Sequence, residues 1–98
     1  MSSTYSSYLG TLLTVNDSLD LVVEEARAHR TVVIEAAEKD GSVETREIEP
    51  YSIRPGQEED RLIYYCLKRN GTRSVLLANL LTAEPTGRTF EPRYDVEL

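Results

Sequence analysis

Residues 62–77, Leu-Ile-Tyr-Tyr-Cys-Leu-Lys-Arg-Asn-Gly-Thr-Arg-Ser-Val-Leu-Leu, place two apolar runs on either side of Asn70-Gly71. Asn-Gly between apolar runs is the strongest short-range hairpin signal, because a two-residue type I′ turn needs positive φ at both central positions. With Asn70 and Gly71 as the loop, Cys66 pairs with Val75 and Tyr64 with Leu77 on one face. Tyr65 meets Leu76 and Ile63 meets Ala78 on the other. Both faces are then apolar, which suits a strand pair lying centrally in a closed or covered sheet.

The rest of the chain arranges itself around this hairpin. Residues 1–15 open on a Ser/Tyr-rich stretch and read as a loose N-terminal arm, with a single domain over residues 16–98. Asn16 or Asp17 is placed to cap a helix over about residues 18 to 29. Leu19, Val22, Val23 and Ala26 form its buried face, Glu24, Glu25 and Arg27 look outward, and Arg27, His29 and Arg30 gather at its carbonyl end. The β-branched run Val32, Val33, Ile34 starts a strand that leads to Asp40-Gly41, a second hairpin signal. A two-residue loop there sets Glu35 against Arg46 but Ile34 against Glu47, so this register stays open. The return strand covers residues 43 to about 53, and Pro50 should break it, bend it or hold it on an edge. Residues 54–60 are turn chemistry and charge. Residues 78–81 make a helical turn or continue the strand, a short strand follows over residues 82–84, Gly87 ends that element, and Phe90, Tyr94 and Val96 anchor a partly packed tail. A helix followed by four or five short strands at hairpin spacing predicts an α+β fold: a small, strongly bent antiparallel β-barrel with the N-terminal helix against its open side.

Charge narrows the partners. The 98 residues carry a formal net charge of -6, which disfavours unspecific grip on nucleic acid or anionic membrane. The acidity is segregated: residues 61–83 hold no Asp or Glu, only Arg61, Lys68, Arg69 and Arg73, whereas residues 35–60 hold nine acids against three bases. One Cys and one His exclude an internal disulfide and a His/Cys zinc site within one chain, and Cys66 reads as a packing residue in a reducing, cytoplasmic setting. No apolar run approaches a membrane span. No cofactor motif, phosphate loop or required carboxylate pair is present, so an enzyme is not expected; His29 reads as a cap or surface residue, and the Glu58-Glu59-Asp60 run as a solvated loop.

The hairpin tip carries the most chemistry. In the type I′ register Lys68 and Arg73 lie directly opposite one another, Arg69 pairs with Thr72, and Tyr64 and Tyr65 stand a few residues back. Cations beside tyrosines on a sheet face suit an anionic, stackable ligand such as a nucleotide. The plainer reading is a basic turn in solvent above two core tyrosines.

The order of these elements resembles the WYL domain, a bacterial regulatory module, over residues 19–96. The likeness rests on a helix ending in Arg30, a strand with Asp40-Gly41, the stretch Thr-Arg-Glu-Ile-Glu-Pro-Tyr-Ser-Ile at 45–53, an apolar strand, Arg73 leading the next strand, and Thr-Gly-Arg-Thr-Phe-Glu-Pro at 86–92. The copy is divergent: the Trp-Tyr-Leu triplet is absent, and Leu76, Leu77 and Asn79-Leu80 stand where the family tends to place further cations. The resemblance implies an Sm-like or SH3-like barrel and a non-enzymatic regulatory or sensory domain that binds a nucleotide-like or single-stranded nucleic-acid ligand. It points to Arg46, Tyr51, Tyr64, Lys68 and Arg73 as ligand-binding residues, with no cofactor and no double-stranded DNA binding by this chain alone. The alternative is a protein-interaction or self-assembly module, including a homo-oligomer, that uses the apolar hairpin and a strand edge.

Overall fold

The computed structural model describes residues 15–57 and 59–98. Apart from Val15, the expected N-terminal arm lies outside the described residues, as does Glu58 of the acidic run. Helix α1 spans Val15–Arg27, and strands β1 (Arg30–Ala37), β2 (Val43–Arg54), β3 (Arg61–Cys66), β4 (Gly71–Leu76) and β5 (Leu80–Thr89) follow. They form one antiparallel sheet in the order β4-β3-β2-β1-β5.

Helix α1 starts ahead of the expected caps and turns Ser18, Val22, Glu25 and Ala26 inward, with Leu19 and Val23 half-buried. Glu25, expected in solvent, is only 6% exposed. Its carboxylate is neutralised there by Arg30, whose Nε and Nη2 donate to the two oxygens at 3.0 and 3.1 Å. The chain leaves the helix through His29 at φ 56°, a left-handed residue whose N–H donates to the Ala26 carbonyl. His29 is thus a capping residue, as its position implied.

The Asp40-Gly41 hairpin resolves the open register by adding a residue. Gly41 N–H donates to the Glu38 carbonyl and Glu38 N–H to the Ser42 carbonyl, while Gly41 sits at φ 89°: a type I turn followed by a glycine bulge. Ile34 consequently faces Arg46 and Glu35 faces Thr45, so neither pairing of a two-residue loop occurs. Pro50 does not push β2 to an edge; β2 is the central strand. Its ladder with β1 ends at Ile48, so the missing N–H of Pro50 costs no bond on that side, and a bulge between Pro50 and Ser52 bends the strand against β3. On the far side β5 runs from Leu80 through Pro85 and Gly87 to Thr89, longer than expected, with its register slipped twice against β1.

The central hairpin is displaced by four residues from the type I′ expectation. Cys66 pairs with Gly71, Tyr65 with Thr72, Tyr64 with Arg73 and Leu62 with Val75, leaving a four-residue loop at residues 67–70. Asn70 alone takes positive φ, at 52°; Gly71 does not and instead starts β4. The even shift preserves the two faces, so Leu62, Tyr64, Cys66 and Val75 still point to the core. Both faces are not equally apolar, however: Thr72, Arg73 and Ser74 are exposed, and β4 is an edge strand rather than a central one.

The core collects the inward residues of every strand, Val32, Ile34, Ala36, Ile48, Leu62, Tyr64, Cys66, Val75, Leu80 and Ala83, beneath Val22 of α1. Helix α1 lies against β5, β1 and β2. A three-residue 3-10 turn, Leu77–Asn79, joins β4 to β5, although these are the two edges of the order. Four spacings of a flat sheet measure about 19 Å, whereas the four peptide steps from Leu76 to Leu80 reach at most about 14 Å. The sheet must therefore curl. It does not close: β4 and β5 share no ladder, so the expected barrel is an open, bent sheet.

Candidate functional site

The inner face of the hairpin end joins two of the expected residues. Arg46 on β2 and Tyr64 on β3 project to the same side, and Arg46 Nη1 donates to the Tyr64 hydroxyl at 2.8 Å. The guanidinium is also committed to Glu44 (2.5 Å) and Glu38 (3.4 Å), and its side chain is 10% exposed. Burial alone would lower its pKa, but the bonds to Glu44 and Tyr64 outweigh that and keep it firmly charged. Burial pushes the Tyr64 phenol up, opposed by Arg46. This pair is closed on itself and offers a ligand neither a free cation nor a ring face.

Arg73 stands across the ladder from Tyr64 on the same face, and Lys68 lies in the turn. The expected opposition of Lys68 to Arg73, and of Arg69 to Thr72 across a two-residue loop, disappears with the four-residue loop. Both Lys68 and Arg73 are exposed, and neither side chain has a hydrogen-bond or ion-pair partner among the described residues. Arg69, their neighbour, donates to Glu44 at 3.4 Å. Arg61 reaches only the Ser74 hydroxyl, at 3.5 Å.

Tyr51 is not part of this group. It lies on the outer face at 3% exposure, its hydroxyl donating to Glu49 Oε1 at 2.8 Å and accepting the Arg93 N–H at 2.9 Å. Phe90 and Tyr94 meet its ring edge-on at 5.7 and 5.1 Å. Burial pushes its pKa up to about 12. Tyr65 is also occupied, since the Arg93 guanidinium sits 3.8 Å over its ring. The tail packs in part, as the sequence suggested: Phe90 and Tyr94 meet Tyr51 while residues 91–95 are exposed, and a short parallel bridge joins Glu97 to Ser52.

Sequence reasoning missed the carboxylates that absorb the other arginines. Glu47 and Glu49, two apart on β2, take bidentate bonds from Arg88 and Arg93 respectively. Thr31 donates to Glu47 and shares a hydroxyl contact with Thr86. Alternation along β2 does separate Glu44 and Arg46 from Glu47 and Glu49, but partners some forty residues away leave no local signal. A groove of about 580 Å³ runs over these pairs, lined by Thr31, Glu47, Leu67, Arg88, Phe90 and Arg93 among others. Among the described residues no group of three or more His, Cys, Asp and Glu is placed to hold a metal ion, and no helix is long and apolar enough to cross a membrane.

No family model matches the sequence, and no curated protein matches it. Among solved structures, the proteasome accessory factor B/C (PafBC) of Arthrobacter aurescens is similar in fold, with a TM-score of 0.70 at 18% identity. The likeness covers 76% of this chain and 12% of that chain.

Proposed function

We propose that this chain is a non-enzymatic regulatory domain that recognises an anionic ligand through the acid-free β3–β4 hairpin, with Lys68 and Arg73 as the contacting cations. One observation carries the reading. Arg30, Arg46, Arg54, Arg69, Arg88 and Arg93 each face a glutamate, and Arg27 and Arg61 donate to the Leu98 carbonyl and the Ser74 hydroxyl. Among the described residues Lys39, Lys68 and Arg73 are left exposed with no side-chain partner; Lys39 sits between Glu38 and Asp40, so Lys68 and Arg73 are the pair that stands away from acids, on the acid-free hairpin. The regulatory assignment draws its support from the motif order that resembles the WYL domain and from the fold shared with a part of PafBC, a protein that contains a WYL domain. A nucleotide or single-stranded nucleic acid is the ligand the resemblance implies. Arg46 and Tyr64 then act from behind the site as its scaffold, and Tyr51, on the opposite face, stands outside it.

The test is a melting-temperature panel at low salt with nucleotides, short single-stranded oligonucleotides and poly-glutamate. At least one anion raises the melting temperature, the double change Lys68→Gln with Arg73→Gln removes that rise, and Arg69→Gln retains it because Arg69 is already paired with Glu44. A panel in which no anion raises the melting temperature overturns the reading; so does a rise that survives the double change.

A further inference from the structure

We propose that the anionic partner is an acidic polypeptide segment that adds as a strand to the free edge of β4. This rests on the anion reading of the hairpin and gives it a partner and a geometry. Leu67 N–H donates to the Glu47 carbonyl on β2, so odd-numbered residues of this stretch turn their backbone toward β2 and even-numbered ones toward β4. Tyr64 with Arg73 and Cys66 with Gly71 are then the hydrogen-bonded pairs of the β3–β4 ladder. It follows that Thr72 and Ser74 direct both N–H and carbonyl away from the sheet. An edge of this kind is a template for an incoming strand.

The opening is local. At the other end of β4, Leu77 N–H continues the ladder on the β3 side to the Asp60 carbonyl, and Ala78 N–H is taken by Glu59 Oε1, so the loop before β3 closes that end. The opposite sheet edge, β5, carries Glu84 and Pro85 and has α1 packed against it, which blunts it as a template. Among the described residues, what remains unpaired is the outward side of the segment from Gly71 to Ser74 beside the basic turn.

Charge decides the occupant. A second copy pairing antiparallel through Thr72 and Ser74 of both chains sets Arg73 directly against its own copy, with Lys68 repeated nearby; like charges so placed repel. An alternating acidic strand places a carboxylate beside Arg73 and another toward Lys68, and meets no Asp or Glu within residues 61–83. A nucleic acid answers the charge equally but leaves the outward backbone groups unpaired, and on the face that carries Arg73 it finds no open ring: Tyr64 is buried there, while Tyr65 lies under Arg93 and the half-exposed Tyr94 is held edge-on to Tyr51, both on the opposite face.

The experiment uses the full chain and a labelled eight-residue peptide of alternating Glu and Val, read by fluorescence anisotropy at low salt. Beside it run the alternating Lys and Val peptide, oligo-dT, and two Glu-Val analogues N-methylated on alternate residues in opposite phase. The Glu-Val peptide binds and the Lys-Val peptide does not; Arg73→Glu weakens binding at least tenfold. One analogue loses binding while the other keeps it, because a strand presents its N–H groups to one side at every second residue. Ser74→Pro, which removes an outward N–H and none from the β3 ladder, abolishes binding. If that variant fails to fold, the two analogues decide on the unaltered protein. Equal binding of both analogues overturns strand addition and leaves the anion reading standing. Oligo-dT bound more tightly than the peptide, and unaffected by Ser74→Pro, overturns the polypeptide partner in favour of nucleic acid. No binding by any anion overturns both readings.

Discussion

At the scale of single residues, the chain spends most of its arginines on its own carboxylates. Tyr64 shows what such a commitment does in the core: its hydroxyl is buried and accepts from a charged donor, so Tyr64→Phe leaves one guanidinium N–H of Arg46 without that partner. The expected cost is about 1–2 kcal/mol, read by urea unfolding, with the overall fold kept because Glu44 still holds Arg46. Tyr51 has a signature in alkali. Its pKa is raised to about 12 by burial, so between the ordinary phenol value near 10 and 12 the unfolded chain loses a proton that the folded chain retains. Stability is full below pH 10 and falls as pH rises through that window; Tyr51→Phe flattens this part of the profile. On the acid side the sign reverses. The Arg88 bonds hold Glu47 below the usual carboxylate range, so its contribution is present above that range and lost as pH falls through the folded value, and Glu47→Gln removes that share of the acid slope.

At the scale of elements, the two hairpins show how far a turn signal can be trusted. Asp-Gly and Asn-Gly both mark turns correctly, yet neither makes the two-residue loop that the dipeptide favours. At residues 38–42 the glycine supplies the positive φ; at residues 67–70 it is the asparagine. Substitutions separate these cases. Gly71→Ala changes stability by less than about 0.5 kcal/mol, since Gly71 has no positive φ and an added Cβ meets nothing closer than the Arg69 carbonyl oxygen at 3.9 Å. Gly41→Ala costs about 1 kcal/mol or more, because φ 89° strains any side chain. A type I′ loop at Asn70-Gly71 demands the opposite, a large penalty at Gly71. The four-residue shift is what moves Arg73 from the side of Lys68 to the side of Tyr64. It also places Thr72 and Ser74 on an open edge.

At the scale of the whole molecule, the tail completes the outer face. Arg93 neutralises Glu49, whose side chain is only 4% exposed, while Arg27 donates to the Leu98 carbonyl and Arg54 pairs with Glu97. Ending the chain before Arg93 therefore lowers the melting temperature by about 5–10 °C, read by thermal unfolding. Local chemistry was legible in the sequence: α1 from its apolar spacing, the strands from β-branched and aromatic runs, the turns from Gly and Asn, the two faces of β3 from alternation, and the basic hairpin from the absence of acids. These depend on neighbours within a few residues, and such interactions are written in order along the chain. Register, strand order and charge pairing were not legible in the same way. A two-residue and a four-residue loop preserve the same inside-outside alternation, so the hydrophobic pattern cannot choose between them; packing of Val75 against Leu62, rather than of Leu77 against Tyr64, does. Likewise nothing near Arg46, Glu47 or Glu49 announces Tyr64, Arg88 or Arg93, which arrive only when β3, β5 and the tail fold over β2. The tertiary structure alone decided which cations are consumed and which, Lys68 and Arg73, stand exposed beside an open strand edge, because that outcome depends on which carboxylates the curled sheet brings within reach.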